Sequence, residues 1–158
     1  MNAVELLKNN HEMALALINE LAHDIKQIEQ SEQDTVDCER MSMFGEFRDM
    51  LTQHTKLEEQ ILYPELAGSS ETRLLVDESY REHKRIREIL AQMEKLRRDR
   101  HCDRWDDTLK ELQQNLQRHI AREEAELFPK AMHLLGPARL ESLYLKMKPL
   151  QTRSSARV

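Results

Sequence analysis

The chain is poor in residues that interrupt helices, since its 158 residues include only three glycines and four prolines. Aromatic residues make up 4% of the sequence, whereas charged residues make up 34%. So few turn-forming residues argue against β-sandwiches and barrels, whose short strands need frequent turns. The same composition favours one domain built from long helices with short connections.

Long apolar runs and an excess of positive charge are also missing. No apolar stretch approaches 18 residues, and the opening Met-Asn-Ala-Val-Glu lacks the basic and apolar parts of a signal peptide. The formal net charge of −5 gives no electrostatic reason to expect nucleic acid as a partner. We therefore predict a cytoplasmic protein with neither a membrane nor a nucleic-acid partner. A short basic stretch near the C-terminus is interpreted as a solvated tail.

Cysteine is scarce as well. Cys38 and Cys102 lie far apart in sequence, and neither belongs to a Cys-x-x-Cys pair. Two unpaired thiols in a reducing compartment are the simpler interpretation, because a redox pair would require the two side chains to meet in space.

What the chain does contain is a motif that recurs 65 positions later. Both copies begin with His, place a Glu four residues on and end on an aromatic-Pro pair: His54-x-x-x-Glu58 with Tyr63-Pro64, and His119-x-x-x-Glu123 with Phe128-Pro129. Residues four apart on a helix share one face, so each copy directs an imidazole and a carboxylate toward the same point. Imidazole and carboxylate together form a ligand set for a transition metal.

Four segments carry apolar residues at spacings of three and four, at about 3–30, 37–66, 71–99 and 104–134. They predict an all-α fold, an antiparallel up-down-up-down four-helix bundle, with a short C-terminal helix at about 138–147. We assign residues 1–135 to the bundle and residues 136–158 to the short helix and the basic tail. Pro64 and Pro129 come late in their helices, where proline would kink or end a helix.

Six polar residues interrupt the apolar seams of these helices: His11, His54, Glu58, His83, His119 and Glu123. Burying an unpaired imidazole or carboxylate costs on the order of several kcal/mol. We therefore expect the six side chains to lie close together and to bind metal. The pattern of one His followed by His-x-x-x-Glu occurs twice, which suggests two hairpins related by an approximate two-fold axis. Each of two ions would then take two imidazoles, and the two Glu side chains would bridge or cap them. Open positions would remain for oxide, hydroxide, water or a diatomic ligand.

Several neighbouring residues have simpler interpretations than metal binding. Glu59 and Glu124 point about 100° around their helices and are interpreted as solvated rather than as partners of a ligand His. Tyr80 is interpreted as an aromatic at the rim of the core, with a role as an extra ligand as the alternative. Glu20-x-x-His23 matches a motif of ferritin-like bundles, but it lacks the second copy that such a site needs.

With the six seam residues in this order, the chain resembles the hemerythrin-like family, also called HHE cation-binding domains, over about residues 5–132. The resemblance implies a four-helix bundle holding two iron ions with a bridging oxo or hydroxo group. The four histidines would be terminal ligands, and the two glutamates would be bridges. Family members bind dioxygen reversibly, sense iron or oxygen, handle nitric oxide or repair damaged iron–sulfur centres. Zinc and manganese stay open as alternatives, because imidazole and carboxylate bind several metals.

Two positions depart from the respiratory hemerythrins. Arg87 stands where these have a fifth ligand His, and Glu123 stands where they have an Asp. The repair-type relatives look closer because they too use four His and two Glu, although they carry an additional Cys-containing N-terminal region. We therefore expect binding of, or reaction with, dioxygen, nitric oxide or peroxide rather than stable oxygen carriage, and leave open whether this includes catalytic turnover. The alternative is an iron- or oxygen-responsive sensor, or an iron-handling protein, that acts through a separate partner protein.

Overall fold

The structure, a computed structural model, describes the backbone of residues 1–28, 33–99 and 102–155 and the side chains of residues 1–23, 40–99 and 103–151. These ranges contain six α-helices: α1 (Ala3–Ile28), α2 (Gln33–Leu57), α3 (Tyr63–Leu66), α4 (Arg73–Arg98), α5 (Cys102–Arg122) and α6 (Phe128–Ser155). Two π-helical turns join them, Glu58–Leu62 between α2 and α3, and Glu123–Leu127 between α5 and α6. The described backbone contains no strand, so the prediction of an all-α helical bundle is confirmed. None of the described helices is both long and apolar enough to cross a membrane.

The C-terminal part differs in extent from the predicted short helix. Helix α6 runs on to Ser155, and its backbone leaves the helical conformation only at Gly136, where φ is +76°. Glycine adopts this left-handed value without the steric cost that other residues carry. Pro137 follows at once, at a position where its missing N–H costs little. The side chains of Cys38 and Cys102, and residue His101, lie outside the described residues.

Helix α1 begins with a reciprocal cap. The backbone N–H of Glu5 donates to Asn2 Oδ1, and the backbone N–H of Asn2 donates to Glu5 Oε2, both at 3.0 Å. This capping box satisfies two backbone donors at the helix start and fixes the direction in which the chain enters α1. The apolar stripe that follows is buried at Val4, Leu7 and Ile18.

The core consists of two apolar clusters that lie on either side of a polar layer. One cluster contains Ala14, Leu51, Ile86 and Leu116, among others. The other contains Leu7, Leu57, Val76, Leu127 and the aromatic pair Tyr63 and Phe128. The histidines fall between these positions in sequence on each long helix, so apolar side chains close the polar layer above and below. Helix α1 packs against α2, α5 and α6, and α4 packs against α5.

Candidate metal centre

The polar layer consists of the six residues that interrupt the seams. All six are buried, and none is more than 4% exposed. Helices α1, α2, α4 and α5 each contribute one His, and each π-helical turn begins with one of the two Glu. The structure therefore brings all of the sequence-predicted ligands into one layer.

The π-helical turns explain how the two Glu and the following prolines fit into continuous helical segments. In the first turn the backbone N–H of Tyr63 donates to the carbonyl of Glu58, and in the second the N–H of Phe128 donates to that of Glu123. A proline has no N–H to donate and its ring clashes with the carbonyl four residues earlier in an α-helix. Each π-helical turn ends two residues before a proline, and its wider backbone spacing differs from the α-helical geometry in which the proline ring would clash. Such turns are frequent at functional sites.

Each carboxylate contacts one imidazole of its own half and one of the other half. Glu58 Oε1 lies 3.0 Å from His54 Nε2 and 3.2 Å from His83 Nε2. Glu123 Oε1 lies 2.9 Å from His119 Nε2 and 3.3 Å from His11 Nε2. The carboxylates thus cross between the two halves of the bundle.

The two halves have closely matching geometry. The rings of His11 and His54 meet edge to face with centroids 4.7 Å apart and an interplanar angle of 63°. The rings of His83 and His119 meet with centroids at the same 4.7 Å and an angle of 65°. Phe128 stacks on His11, and Tyr63 stacks on His83, both at 5.5 Å between centroids. This equivalence agrees with the sequence repeat.

The donor atoms fall into two groups that share Glu58. We call the first the α1–α2 site (His11, His54, Glu58 and Glu123) and the second the α4–α5 site (Glu58, His83 and His119). Within each group the donor atoms lie within 4.8 Å of one another. In the α4–α5 site the two Nε2 atoms are 3.1 Å apart. Two nitrogens bound to one ion at about 2.1 Å and roughly at a right angle would stand about 3 Å apart, so this spacing suits a shared ion.

Many polar atoms in the layer have no hydrogen-bond partner among the described residues. They include both ring nitrogens of His11 and of His54, both carboxylate oxygens of Glu58, and Glu123 Oε1. Leaving a buried polar group unpaired costs about 1–3 kcal/mol, and more for a charged group. Metal ions bound between these atoms would satisfy the Nε2 and carboxylate oxygen atoms together. The residues present therefore fit a pair of metal ions.

The pKa values of three residues of the layer are shifted toward the charged form. Burial opposes the charge of Glu58, but the charge of His54 and contacts with Glu123 and His119 hold its pKa well below its usual value. Burial likewise opposes the charge of His119, yet Glu123, Glu58 and Glu82 raise its pKa well above the usual range. The pKa of His11 is also raised, because Glu123 and Glu58 outweigh its burial.

Three of the histidines have a carboxylate near the ring nitrogen that faces away from the centre, and one of them, His119, forms a hydrogen bond with it. His119 Nδ1–H donates to Glu82 Oε1 at 2.7 Å, and Arg122 Nη2 donates to the same oxygen at 2.5 Å. His83 Nδ1 lies 3.3 Å from Glu59 Oε2, without forming a hydrogen bond. Arg87, at the position of the fifth His of respiratory hemerythrins, points to Glu59 instead, at 2.7 Å.

Glu59 and Glu124 were interpreted as solvated rather than as partners of a ligand His, and neither accepts a hydrogen bond from a histidine, while Glu124 keeps 36% of its side chain exposed. Both nevertheless lie near a histidine. Glu59 is only 21% exposed at its side chain and faces His83, while Glu124 Oε2 lies 3.5 Å from His11 Nδ1. The side chains of Glu59 and Glu124 point away from the apolar seam of their own helices, as expected, but each lies beside a histidine of another helix. The sequence pattern also gave no reason to single out Glu82.

Tyr63 is a site residue that the sequence pattern did not predict. Its side chain is fully buried, its hydroxyl donates to Glu123 Oε2 at 2.6 Å, and it lies 3.3 Å from His83 Nε2. Burial and the charges of Glu58 and Glu123 raise the pKa of Tyr63 well above its usual value, so its hydroxyl stays protonated as a donor. Tyr80, considered from sequence as an extra ligand, instead donates to the backbone carbonyl of Glu59 at 3.3 Å and packs against the Tyr63 ring.

The metal-free protein is expected to be most stable between about pH 4.5 and 6.5, the usual pKa values of Glu and His. The lowered pKa of Glu58 stabilises the fold above pH 4.5, and this contribution is lost as the pH falls toward the lowered pKa. The raised pKa of His119 stabilises the fold below pH 6.5, and this contribution is lost as the pH rises through the raised pKa. Thermal melting of chelator-treated protein from about pH 4 to pH 9 measures the loss of stability on both the acidic and the basic side of this range. A melting temperature that climbs steadily up to pH 8 would contradict this.

Comparison with known proteins agrees with the geometry of the layer. A family model described as the hemerythrin HHE cation binding domain matches residues 2–131. A search of curated proteins and a search of solved structures found no match. The matched region includes all six residues of the polar layer, and the resemblance inferred from the sequence is confirmed. The chain belongs to the hemerythrin HHE cation-binding domain family.

Proposed function

We propose that the protein is a non-haem di-iron protein that binds or reacts with a small molecule, namely dioxygen, nitric oxide or peroxide. One observation carries the proposal: buried imidazole and carboxylate atoms form two adjacent groups that share a carboxylate, and many of these atoms have no hydrogen-bond partner among the described residues. The terminal ligands would be the four histidines, and Glu58 and Glu123 would be the bridges.

The donor chemistry supports iron with positions left open. Imidazole suits iron as well as zinc and copper, and carboxylate adds oxygen donors. Four imidazoles and two bridging carboxylates occupy about eight of the twelve positions that two six-coordinate ions offer, which leaves room for an oxo or hydroxo bridge and a small ligand. Iron bound here would supply the redox chemistry, while the chain supplies position and a dry surrounding.

The surroundings of the layer favour a small ligand over a large one. Apolar side chains such as Leu7, Leu57 and Leu127 pack on one side, and Leu51 and Leu116 pack on the other, so water is largely excluded. Tyr63 provides a protonated hydroxyl at the layer, 2.6 Å from the Glu123 carboxylate. We assign to Tyr63 the role of orienting Glu123 in the metal-free protein and, when Glu123 binds metal instead, of donating its one O–H to a small ligand at the centre.

We also propose that the bundle follows the antiparallel up-down-up-down topology expected from the sequence. Residues 1–135 would form the bundle, and a helix after the break at Gly136 would form a separate C-terminal element. The packing of α1 on α2 and of α4 on α5 supports the two hairpins. A cytoplasmic location and a sensing role through a partner protein stay predictions from the sequence.

Anaerobic purification followed by elemental mass spectrometry is expected to give two irons per chain. Subsequent exposure to dioxygen, nitric oxide or hydrogen peroxide, each added alone, would identify which molecule changes the absorption spectrum of the iron protein. A single metal per chain, or zinc alone, would contradict the di-iron proposal, because neither provides a dinuclear redox centre.

A further inference from the structure

We propose that the two metal positions are unequal and that the α4–α5 site fills before the α1–α2 site. The inference rests on the proposed dinuclear centre and concerns the residues that surround it. It would make the ion held by His11 and His54 the more readily exchanged of the two.

The direct ligands differ by one carboxylate, because the α1–α2 site includes Glu123 besides the shared Glu58. Both sites contain two imidazoles that present Nε2 to the centre, and the ring pairs have the same 4.7 Å separation. The Oε1 atoms of Glu58 and Glu123 each contact one imidazole of each half, at 2.9–3.3 Å. Glu123 Oε1 lies nearer to His119, at 2.9 Å, than to His11, at 3.3 Å, so the extra carboxylate of the α1–α2 site does not favour that site strongly. We therefore place the difference in the groups behind the imidazoles.

Behind the α4–α5 site, both imidazoles face carboxylates that are themselves paired with arginine. Glu82 accepts from His119 Nδ1–H at 2.7 Å and from Arg122 at 2.5 Å. Arg122 is further held by Ser79 Oγ at 3.2 Å. Glu59 lies 3.3 Å from His83 Nδ1 without a hydrogen bond to it. It accepts from Arg87 at 2.7 Å.

Behind the α1–α2 site the corresponding support is weak. Glu124 lies 3.5 Å from His11 Nδ1, and among the described side chains no arginine pairs with it. Nδ1 of His54 is buried and has no hydrogen-bond partner among the described residues.

The sequence repeat shows the origin of this difference. The residue before the first His of each half is Asn10 in one copy and Glu82 in the other. The residue before each bridging Glu is Leu57 in one copy and Arg122 in the other. Glu82 and Arg122, the two residues behind His119, therefore correspond to the uncharged residues Asn10 and Leu57 in the first half. Asn10 instead accepts a hydrogen bond from Gln151 of α6 at 3.2 Å.

A carboxylate that accepts from Nδ1–H fixes the imidazole in the tautomer whose Nε2 is free to bind metal, and it makes that nitrogen more basic. Losing such a partner typically costs about 10- to 100-fold in metal affinity. We therefore expect the dissociation constants of the two sites to differ by about 10- to 100-fold. At limiting metal, the ion would occupy the site formed by His83 and His119.

The test is an oxygen-free titration of the metal-free protein with Co²⁺, followed by its visible absorption and by competition with a chelator. Wild-type protein should bind two ions in two resolved steps. His119→Ala should remove the tighter step, and His54→Ala should remove the weaker one. Glu82→Gln removes the charge behind His119 while keeping the side chain's size, and it should weaken the tighter step about tenfold or more.

Glu111→Gln is the matched control. Glu111 pairs with Arg85 between the same helices, α4 and α5, but does not belong to the Glu82–Arg122 pair behind His119. This variant should leave both steps unchanged. Arg122→Gln keeps the Glu82 carboxylate but removes its cation, so it should weaken the tighter step by less than Glu82→Gln does. Circular dichroism of each metal-free variant establishes that the helices are retained.

Two ions bound with one indistinguishable affinity would overturn the inference and leave the dinuclear centre intact. So would a Glu82→Gln variant in which both steps weaken equally. Fewer than two ions per chain would overturn the dinuclear proposal itself, and the inference with it.

Discussion

Replacing Glu58 with Gln is expected to abolish stable binding of both metal ions. The Glu58 carboxylate is fully buried, and its Oε1 lies 3.0 Å from His54 and 3.2 Å from His83, one histidine from each site. Gln keeps the size of the side chain but has no negative charge to share between two cations. Elemental analysis of the purified variant should therefore give close to no metal, whereas the wild type is expected to give two ions.

The same variant should lose the stabilisation that metal gives to the fold. A ligand present at 100 times its dissociation constant stabilises the folded state by about 2.7 kcal/mol. Two ions would give about twice this stabilisation. At about 2–4 °C per kcal/mol for a chain of this size, the wild-type melting temperature should rise by roughly 10–20 °C on adding metal. The melting temperature of Glu58→Gln should not respond.

Glu46→Gln provides the control for this variant. Glu46 is on the same helix α2 but is exposed, so its replacement should leave two ions bound. If Glu58→Gln also retained two ions, Glu58 would not be the bridge between the sites.

Replacing Tyr63 with Phe is expected to leave metal binding intact and to accelerate dissociation of a small ligand by about 10- to 100-fold. Phe128 stands at the equivalent position of the other half, so the fold already accepts Phe beside a ligand histidine. The change removes only the hydroxyl that donates to Glu123. A hydrogen bond to a charged group contributes about 1.5–3 kcal/mol, which corresponds to the expected change in rate.

Stopped-flow measurement of nitric oxide dissociation from the reduced iron protein gives this rate directly. Tyr144→Phe is a suitable control, since Tyr144 is half-buried against the apolar cluster on α6 rather than in the polar layer. Loss of metal from Tyr63→Phe would show that the hydroxyl is needed to hold the metal, either as a ligand or through its hydrogen bond to Glu123. An unchanged rate with full metal content would show that the hydroxyl has neither role.

The seam residues could be predicted because they depend only on helical periodicity. Residues such as His11 and His83 occupy positions where apolar neighbours recur at spacings of three and four, and each is buried as that pattern indicates. The helical segments followed from the same signal. Which helices face each other across the layer was a weaker inference, supported mainly by the internal repeat.

Tyr63 could not be predicted, because its position depends on a departure from α-helical geometry. Five residues after Glu58 in an α-helix, a side chain points about 140° away from the glutamate. The π-helical turn Glu58–Leu62 has more residues in each turn, so it rotates Tyr63 back toward the polar layer. The available signal was the pair of prolines at matching positions, which pointed to an irregular turn but not to its type.

The carboxylates behind the histidines were missed for a different reason. Glu59 and Glu82 lie off the seams of their own helices and meet histidines that belong to neighbouring helices. Helical periodicity describes one helix at a time, whereas these contacts depend on the distance and angle between two helices. Only the three-dimensional packing could reveal them.

Each half of the bundle contacts a carboxylate of the other half, and this arrangement has a consequence for how the two halves assemble. His11 faces Glu123 and His83 faces Glu58, so either hairpin taken alone lacks a carboxylate that its own imidazoles contact in the folded protein. An ion captured by one hairpin is therefore held less firmly than an ion in the complete bundle. By mass action, the cation favours docking of the two hairpins and opposes their separation. In this chain, metal retention reports that both halves have come together correctly.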